Sequence, residues 1–144
     1  MIGGASFRRI EGFMGGKLAR VEANPPALDA DATPIIEAGE NVLITERRHF
    51  AEDARRQFAG VIERVGRNTI RIRGFLFIYD PLLGNFRRMP EQRVRVYRID
   101  NQILLNVLPR ECDIANLHYV KADRELVLTD RKKTRLEFAE VMGR

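Results

Sequence analysis

The chain has 144 residues, of which 44% are hydrophobic and 31% are charged, and its formal net charge is +5. These values are typical of one globular domain, and no apolar run reaches the roughly 18 residues that a membrane-spanning helix needs. Because Cys112 is the single cysteine, one chain can form neither an internal disulfide nor a cysteine-based zinc site. Charged residues at Arg8, Arg9 and Glu11 interrupt the apolar stretch that a signal peptide requires, so we expect a cytoplasmic protein without membrane contact.

The positive charge is concentrated in the middle of the chain. Residues 47–98 hold 13 basic and 5 acidic side chains. A cluster of this kind attracts phosphate backbones or an acidic protein partner through its long-range field.

The N-terminal part differs in composition from the rest. Residues 22–41 are rich in Ala, Pro and acidic residues and lack periodicity, which is typical of a linker. We therefore predict an irregular N-terminal arm and linker over residues 1–41 and a single β-rich domain over residues 42–144. Two alternatives stay open for the apolar residues that precede the linker, which either dock on the domain or are mobile: Phe7, Ile10, Phe13 and Met14.

The predicted domain begins with a short apolar strand over residues 42–44. After it, Phe50, Ala54 and Phe58 follow one another at spacings of four, which places three apolar side chains on one side of a helix. The pattern therefore predicts one amphipathic helix over residues 47–58.

The period then changes to two. Residues 59–66 predict a strand that ends at the turn Gly66-Arg67-Asn68, where Gly and Asn tolerate the positive φ of a tight hairpin. Residues 69–80 predict the clearest strand in the chain, with strict alternation between its two sides. One side carries Ile70, Ile72, Leu76 and Ile78, and the other carries Arg71, Arg73, Phe75, Phe77 and Tyr79.

Short elements fill the remainder of the chain. Residues 80–85 predict a turn, residues 110–117 one helical turn, and residues 139–142 a brief C-terminal helix. Further strands are expected over residues 93–99, 102–108, 118–122, 125–129 and 134–138. Since tight turns join antiparallel strands, the predicted fold is mainly β in the α+β class. It is a small antiparallel, partly barrel-like sheet with the one helix and the N-terminal arm.

Residues that carry chemistry are few. Cys112, Asp113 and His118 lie close in sequence. Cys112 and His118 are either a thiol and imidazole pair or a buried thiol and an ordinary strand histidine. No motif surrounds them, and His49 is the only other histidine. We therefore expect no enzyme, no cofactor and no metal site.

The segment RGFLFIYD, residues 73–80, resembles the first ribonucleoprotein motif of RNA-recognition domains. The resemblance implies that Phe75 and Phe77 stack unpaired bases and that Arg73 contacts a phosphate or a base. Leu76 and Asp80 depart from the motif, since they replace its small residue and its last aromatic residue.

A broader resemblance covers residues 45–108. The predicted helix followed by Phe58, Gly60, Ile62 and Val65 resembles the opening of Sm-like small β-barrel proteins. The resemblance implies a similar barrel, whereas Gly66 and Ile70 stand where that family carries its RNA-binding Asp and Asn.

The arginines and rings of residues 69–80 define the candidate contact surface, together with three residues of a following strand. The full set is Arg71, Arg73, Phe75, Phe77, Tyr79, Arg93, Arg95 and Tyr97. Its rings are either a nucleic-acid platform, a protein interface or part of the core. The leading hypothesis is a non-enzymatic module that binds RNA or single-stranded nucleic acid. The alternative is a self-associating or complex-forming subunit, a homo-oligomer for example, without a nucleic-acid role.

Overall fold

The structure is a computed structural model that describes residues 35–138. Nine β-strands and one short 3₁₀ turn follow one another along this part of the chain. In order they are β1 (Asn41–Glu46), β2 (Arg56–Val65), β3 (Thr69–Asp80), β4 (Asn85–Arg88), β5 (Arg93–Arg98), β6 (Ile103–Val107), the 3₁₀ turn (Ile114–Asn116), β7 (His118–Ala122), β8 (Glu125–Thr129) and β9 (Arg135–Glu137).

The strands form two antiparallel sheets. The larger sheet has the order β4-β3-β2-β1-β6, with β5 also paired to β3, and the smaller one has the order β7-β8-β9. This confirms a mainly β protein with antiparallel pairing. The predicted closure into a partial barrel is wrong for residues 35–138, because no pairing joins β6 to β4 or β5 and the larger sheet stays open.

The predicted amphipathic helix over residues 47–58 is also wrong. Residues 47–55 form an irregular loop, and β2 begins at Arg56. The Asp53 carboxylate accepts the backbone N–H groups of His49 and Phe50 at 3.2 and 3.0 Å, which favours a local turn over helical hydrogen bonds. Phe50 is 66% exposed, while Phe58 is fully buried in the sheet. The spacing of four therefore did not mark one apolar face.

The longest strand sorts its side chains as its alternation predicts. Ile70, Ile72 and Leu76 lie in a hydrophobic cluster on one face of the larger sheet. Phe77 lies in a second cluster on the other face, and Phe75 packs against it. Residues of both sheets form this second cluster, so the smaller sheet covers part of that face.

The neighbours of β3 change along its length. Residues 69–74 pair with β5, and residues 77–80 pair with β4. The sequence did not predict β4, because its four residues directly follow the turn of residues 80–84. In that turn the Asp80 side chain accepts the backbone N–H of Leu82 at 2.9 Å, and Gly84 takes a positive φ of 62°.

The remaining predicted strands agree with β5 to β9 to within a few residues, and the 3₁₀ turn lies within the predicted residues 110–117. The predicted C-terminal helix and the docking alternatives for Phe7 to Met14 fall outside the described residues. The predicted domain boundary at residue 42 stays a prediction.

Candidate nucleic-acid interface

One half of a sheet face is open to solvent and carries four arginines. Strand register sets their positions, because Arg71 lies opposite Arg64 of β2 and directly paired residues project to the same side of a sheet. On the other side of β3, Thr69 pairs with Arg98 of β5, which brings that arginine to the same face. We call the four exposed residues the arginine face: Arg64, Arg71, Arg73 and Arg98.

A β-bulge at Glu63 brings Arg64 to this face, which also carries one carboxylate. Ile62 pairs with Ile72 and Arg64 pairs with Arg71, so Glu63 is the extra residue of β2. Val61 pairs with Arg73, so strict alternation would place Arg64 on the other face, and the bulge redirects it to this one. Glu63 has the parity of Val61 and lies on this face in either case. Its carboxylate accepts hydrogen bonds from Nε of Arg73 at 2.6 Å and from Nε of Arg71 at 3.0 Å.

The two arginines keep Glu63 ionised. The hydrogen bond from Arg73, and then that from Arg71, lower the pKa of the Glu63 carboxyl below its usual value. Two guanidinium groups therefore share one negative charge at neutral pH. Within residues 35–138 no carboxylate oxygen lies within 4 Å of the guanidinium groups of Arg64 or Arg98, so the arginine face keeps an excess of positive charge.

Valines lie between the arginines. Val94 pairs with Arg73 and Val96 pairs with Arg71, so both valines project to the arginine face. Val96 is 62% exposed. The surface therefore places an apolar side chain of β5 beside each of the two β3 arginines.

The predicted aromatic residues lie on the same face as Arg71 and Arg73 but under cover. Phe77 is 1% exposed and meets the Tyr119 ring edge-on at 6.0 Å. Phe75 is half-buried, with the Arg88 guanidinium 4.7 Å above its ring centre. Tyr79 packs edge-on against Phe86 at 5.3 Å. Of the three alternatives for these rings, a nucleic-acid platform, a protein interface or the core, Phe77 belongs to the core.

The three β5 residues of the predicted set project to the opposite face. Arg93 pairs with Gly74, Arg95 with Ile72 and Tyr97 with Ile70. Arg95 Nη1 and the Tyr97 hydroxyl both donate to one oxygen of Glu46, at 3.1 and 2.9 Å. Burial raises the pKa of Tyr97 above its usual value. The structure therefore does not join these residues to Arg71 and Arg73.

Alternation alone could not have located all of the arginine face. Arg98 lies on the same side of β5 as Val94 and Val96. The correct pairing register of β5 with β3 would therefore have placed it on the arginine face. By contrast, Arg64 reaches this face through the bulge, which leaves no mark in the hydrophobic pattern.

The Cys112 and His118 side chains have separate environments. Cys112 is buried in the core between the sheets, and burial raises the pKa of its thiol. His118 donates from Nδ1 to the Asn116 carbonyl at 2.7 Å and accepts at Nε2 from Arg131 at 3.0 Å. These contacts favour the buried thiol and the strand histidine over a catalytic pair. Over residues 35–138, no group of three or more His, Cys, Asp or Glu side chains is placed to hold a metal ion.

None of the helical segments in the described part of the chain has the length and apolar character needed to span a bilayer. No protein-family model, no curated protein and no solved structure matches the chain. The resemblances to Sm-like proteins and to the ribonucleoprotein motif therefore stay predictions.

Proposed function

We propose that the chain is a non-enzymatic binding module that contacts RNA or single-stranded nucleic acid with its arginine face. The observation that carries this proposal is the charge on one open face, where four exposed guanidinium groups stand against the carboxylate of Glu63 among the described residues. Guanidinium groups bind phosphate oxygens with charge-assisted, often bidentate hydrogen bonds.

The spacing of the arginines supports contact with consecutive phosphates. Arg71 and Arg73 are two residues apart on one strand, which separates their Cα atoms by about 7 Å. Both donate to Glu63 through Nε, so the Nη atoms of each guanidinium are left to donate to a ligand. A phosphate can therefore bind without breaking either ion pair.

The exposed Val96 supplies apolar surface for an unpaired strand. Bases of single-stranded nucleic acid are free to lie on a sheet surface, whereas those of a duplex are stacked inside it. Val96, at 62% exposed, offers such a surface between the arginines. The proposal does not include base stacking on Phe77, because that ring is buried.

The test is binding of a fluorescent single-stranded RNA of about 12 nucleotides, measured by anisotropy at low salt. We expect the wild-type chain to bind, and Arg71→Gln with Arg73→Gln to weaken binding about ten-fold. The matched control is Arg110→Gln with Arg124→Gln, which removes two exposed charges elsewhere and should change affinity less than about two-fold. Equal losses in both double variants would reject the arginine face as the contact surface.

One observation favours self-association as a second candidate. Among the described strands β6 pairs only with β1, and it carries two exposed apolar side chains, Leu104 at 40% and Val107 at 53%. An unpaired strand edge is a template for pairing with another chain. Light scattering after size exclusion tests this candidate, since Val107→Lys should convert an oligomer to a monomer. A wild-type monomer at high protein concentration would reject it.

A further inference from the structure

A second set of arginines lines a groove at the other end of the larger sheet, where β1 ends and β2 begins. The groove has a volume of about 490 Å³, which is within the range of small-molecule sites. We call it the arginine groove after the four residues that line it: Arg47, Arg48, Arg55 and Arg56. Because it lies near the start of β2 and the arginine face lies near its end, the two surfaces are separate.

The groove keeps most of its positive charge. Arg47 Nε donates to the Asn101 carbonyl at 2.9 Å, and Arg48 Nη1 donates to the Ala51 carbonyl at 2.7 Å. These bonds orient the two guanidinium groups without neutralising them, since the acceptors are uncharged.

The remaining charges near the groove add to this excess. Within residues 35–138, no carboxylate oxygen lies within 4 Å of the Arg55 or Arg56 guanidinium groups. Glu46 also lines the groove, but its carboxylate is engaged by Arg95 and by the Tyr97 hydroxyl. The groove therefore presents a cationic surface to a ligand.

A buried chain of polar groups reaches the same groove from the core. The Tyr119 hydroxyl donates to Oε1 of Gln57 at 2.6 Å, and Nε2 of Gln57 donates to Oγ1 of Thr45 at 3.1 Å. Gln57 is fully buried and Thr45 is 8% exposed, and both line the groove. Burying such groups is costly unless each is satisfied.

This chain fixes the role of the Thr45 hydroxyl. Because Oγ1 accepts the Gln57 hydrogen bond, the hydroxyl hydrogen is left to donate, and no acceptor for it is found within residues 35–138. The arrangement thus combines four cationic groups at the rim with one oriented neutral donor. On the apolar side, the groove is lined by Leu104, which pairs with Thr45.

We propose that the arginine groove binds the phosphate monoester group of a small organic ligand, with Thr45 and the four arginines on the phosphate and Leu104 against the organic part. Guanidinium groups match the geometry of phosphate oxygens, and a hydroxyl supplies a further donor. An apolar wall adds affinity for a ligand larger than the phosphate alone. This site does not depend on nucleic-acid binding by the arginine face.

Calorimetric titration of the full chain with adenosine 5′-monophosphate is the primary test, with adenosine and inorganic phosphate as partial ligands. We expect one molecule of the monophosphate to bind per chain, with inorganic phosphate weaker and adenosine not detectable. A second arm compares a uridine trinucleotide with and without a 5′-phosphate. If adenosine 5′-monophosphate binds and neither trinucleotide does, the groove is a site for small ligands. If the 5′-phosphorylated trinucleotide binds as tightly as the monophosphate and the unphosphorylated one does not, the groove is a site for nucleic-acid ends.

Variants separate the groove from other basic surfaces. Arg55→Gln with Arg56→Gln should weaken monophosphate binding about ten-fold or more, and Arg71→Gln with Arg73→Gln should leave it within about two-fold. Thr45→Val should weaken monophosphate binding about ten-fold. Thr45→Ser keeps the hydroxyl and should bind the monophosphate as the wild-type chain does. Circular dichroism of Thr45→Val shows whether that variant is folded, and the arginine variants test the site independently if it is not. Binding of adenosine as tight as that of the monophosphate, or equal losses in the two arginine pairs, would overturn the proposal.

Discussion

Gly60 on β2 lies directly opposite Gly74 on β3, and neither position has room for a side chain. A Cβ atom on Gly60 would lie 2.3 Å from the Arg73 carbonyl oxygen, and one on Gly74 would lie 1.9 Å from that of Ala59. Gly74 is also the last β3 residue that pairs with β5. The glycine pair therefore permits a close approach of the two strands at the point that separates the arginine face from the covered half of the sheet.

We expect Gly74→Ala to destabilise the protein by about 3 kcal/mol, because the new methyl group meets backbone atoms that cannot rotate away. Gly66→Ala is the control, since its nearest neighbour is the Thr69 hydroxyl at 2.7 Å, which a rotation can move. Urea unfolding followed by circular dichroism measures both variants. A loss at Gly74 no larger than that at Gly66 would contradict the close approach.

Asp130 organises the loop that joins β8 to β9. The stability that its carboxylate contributes should depend on pH. Its buried carboxylate accepts backbone N–H groups of Asp113, Lys132 and Thr134 at 2.9 to 3.0 Å. These bonds, with that from Asp113 the largest cause, lower the pKa of Asp130 to about 2. Because the folded-state pKa lies below the usual value of 3.8, the stabilisation is present above about pH 4 and is lost as the pH falls towards 2.

Asp130→Asn should therefore lower the free energy of unfolding by about 2 kcal/mol at pH 7, since an amide cannot accept all three bonds as well as a carboxylate can. The difference from wild type should shrink as the pH falls from 4 to 2. Urea titrations at several pH values measure this difference in the free energy of unfolding. A difference that stays constant between pH 4 and 2 would show that the charge of the Asp130 carboxylate does not stabilise the fold.

Cys112 should resist alkylation in the folded protein. It is 7% exposed, and burial, with further contributions from Asp130 and Asp113, raises the pKa of its thiol. Since the thiolate is the reactive form, we expect iodoacetamide to modify Cys112 slowly at pH 8 and rapidly after addition of urea. Mass spectrometry follows the reaction, and a native rate close to that in urea would contradict the burial of this thiol.

Glu63 should weaken RNA binding, because its carboxylate is the one negative charge that residues 35–138 place on the arginine face. Glu63→Gln releases Arg71 and Arg73 from this carboxylate, and we expect affinity for single-stranded RNA to rise by about three-fold at low salt. Glu91→Gln is the control, as that residue pairs with Arg93 on the opposite face. Weaker RNA binding by Glu63→Gln would contradict the electrostatic account.

The sequence was sufficient to predict the strand of residues 69–80 and its two sides, since Ile70 and Ile72 alternate with Arg71 and Arg73 along it. It was insufficient where a local contact decides the structure. The hydrogen bonds of the Asp53 carboxylate replace the expected helix by a loop, and the bulge at Glu63 changes which β2 side chains reach the arginine face. Burial of Phe77 depends on the smaller sheet, and nothing in residues 69–80 themselves indicates that cover.

The arginine groove was not predicted, for a similar reason. Residues 47–58, which hold all four groove arginines, were expected to form a helix. The loop and the first residue of β2 instead place all four around the groove that Thr45 lines, where strand pairing also brings Leu104. Neither charge nor periodicity within one segment reports such a contact.

The most direct test of the arginine face is the salt dependence of single-stranded RNA binding. Each phosphate contact contributes about 0.7 to the slope of log affinity against log salt. We expect wild-type affinity to fall steeply with salt, and Arg71→Gln with Arg73→Gln to flatten the slope by about 1.4, with no change in Arg110→Gln with Arg124→Gln. No binding by the wild-type chain at low salt, or an unchanged slope in the Arg71 and Arg73 variant, would contradict the account.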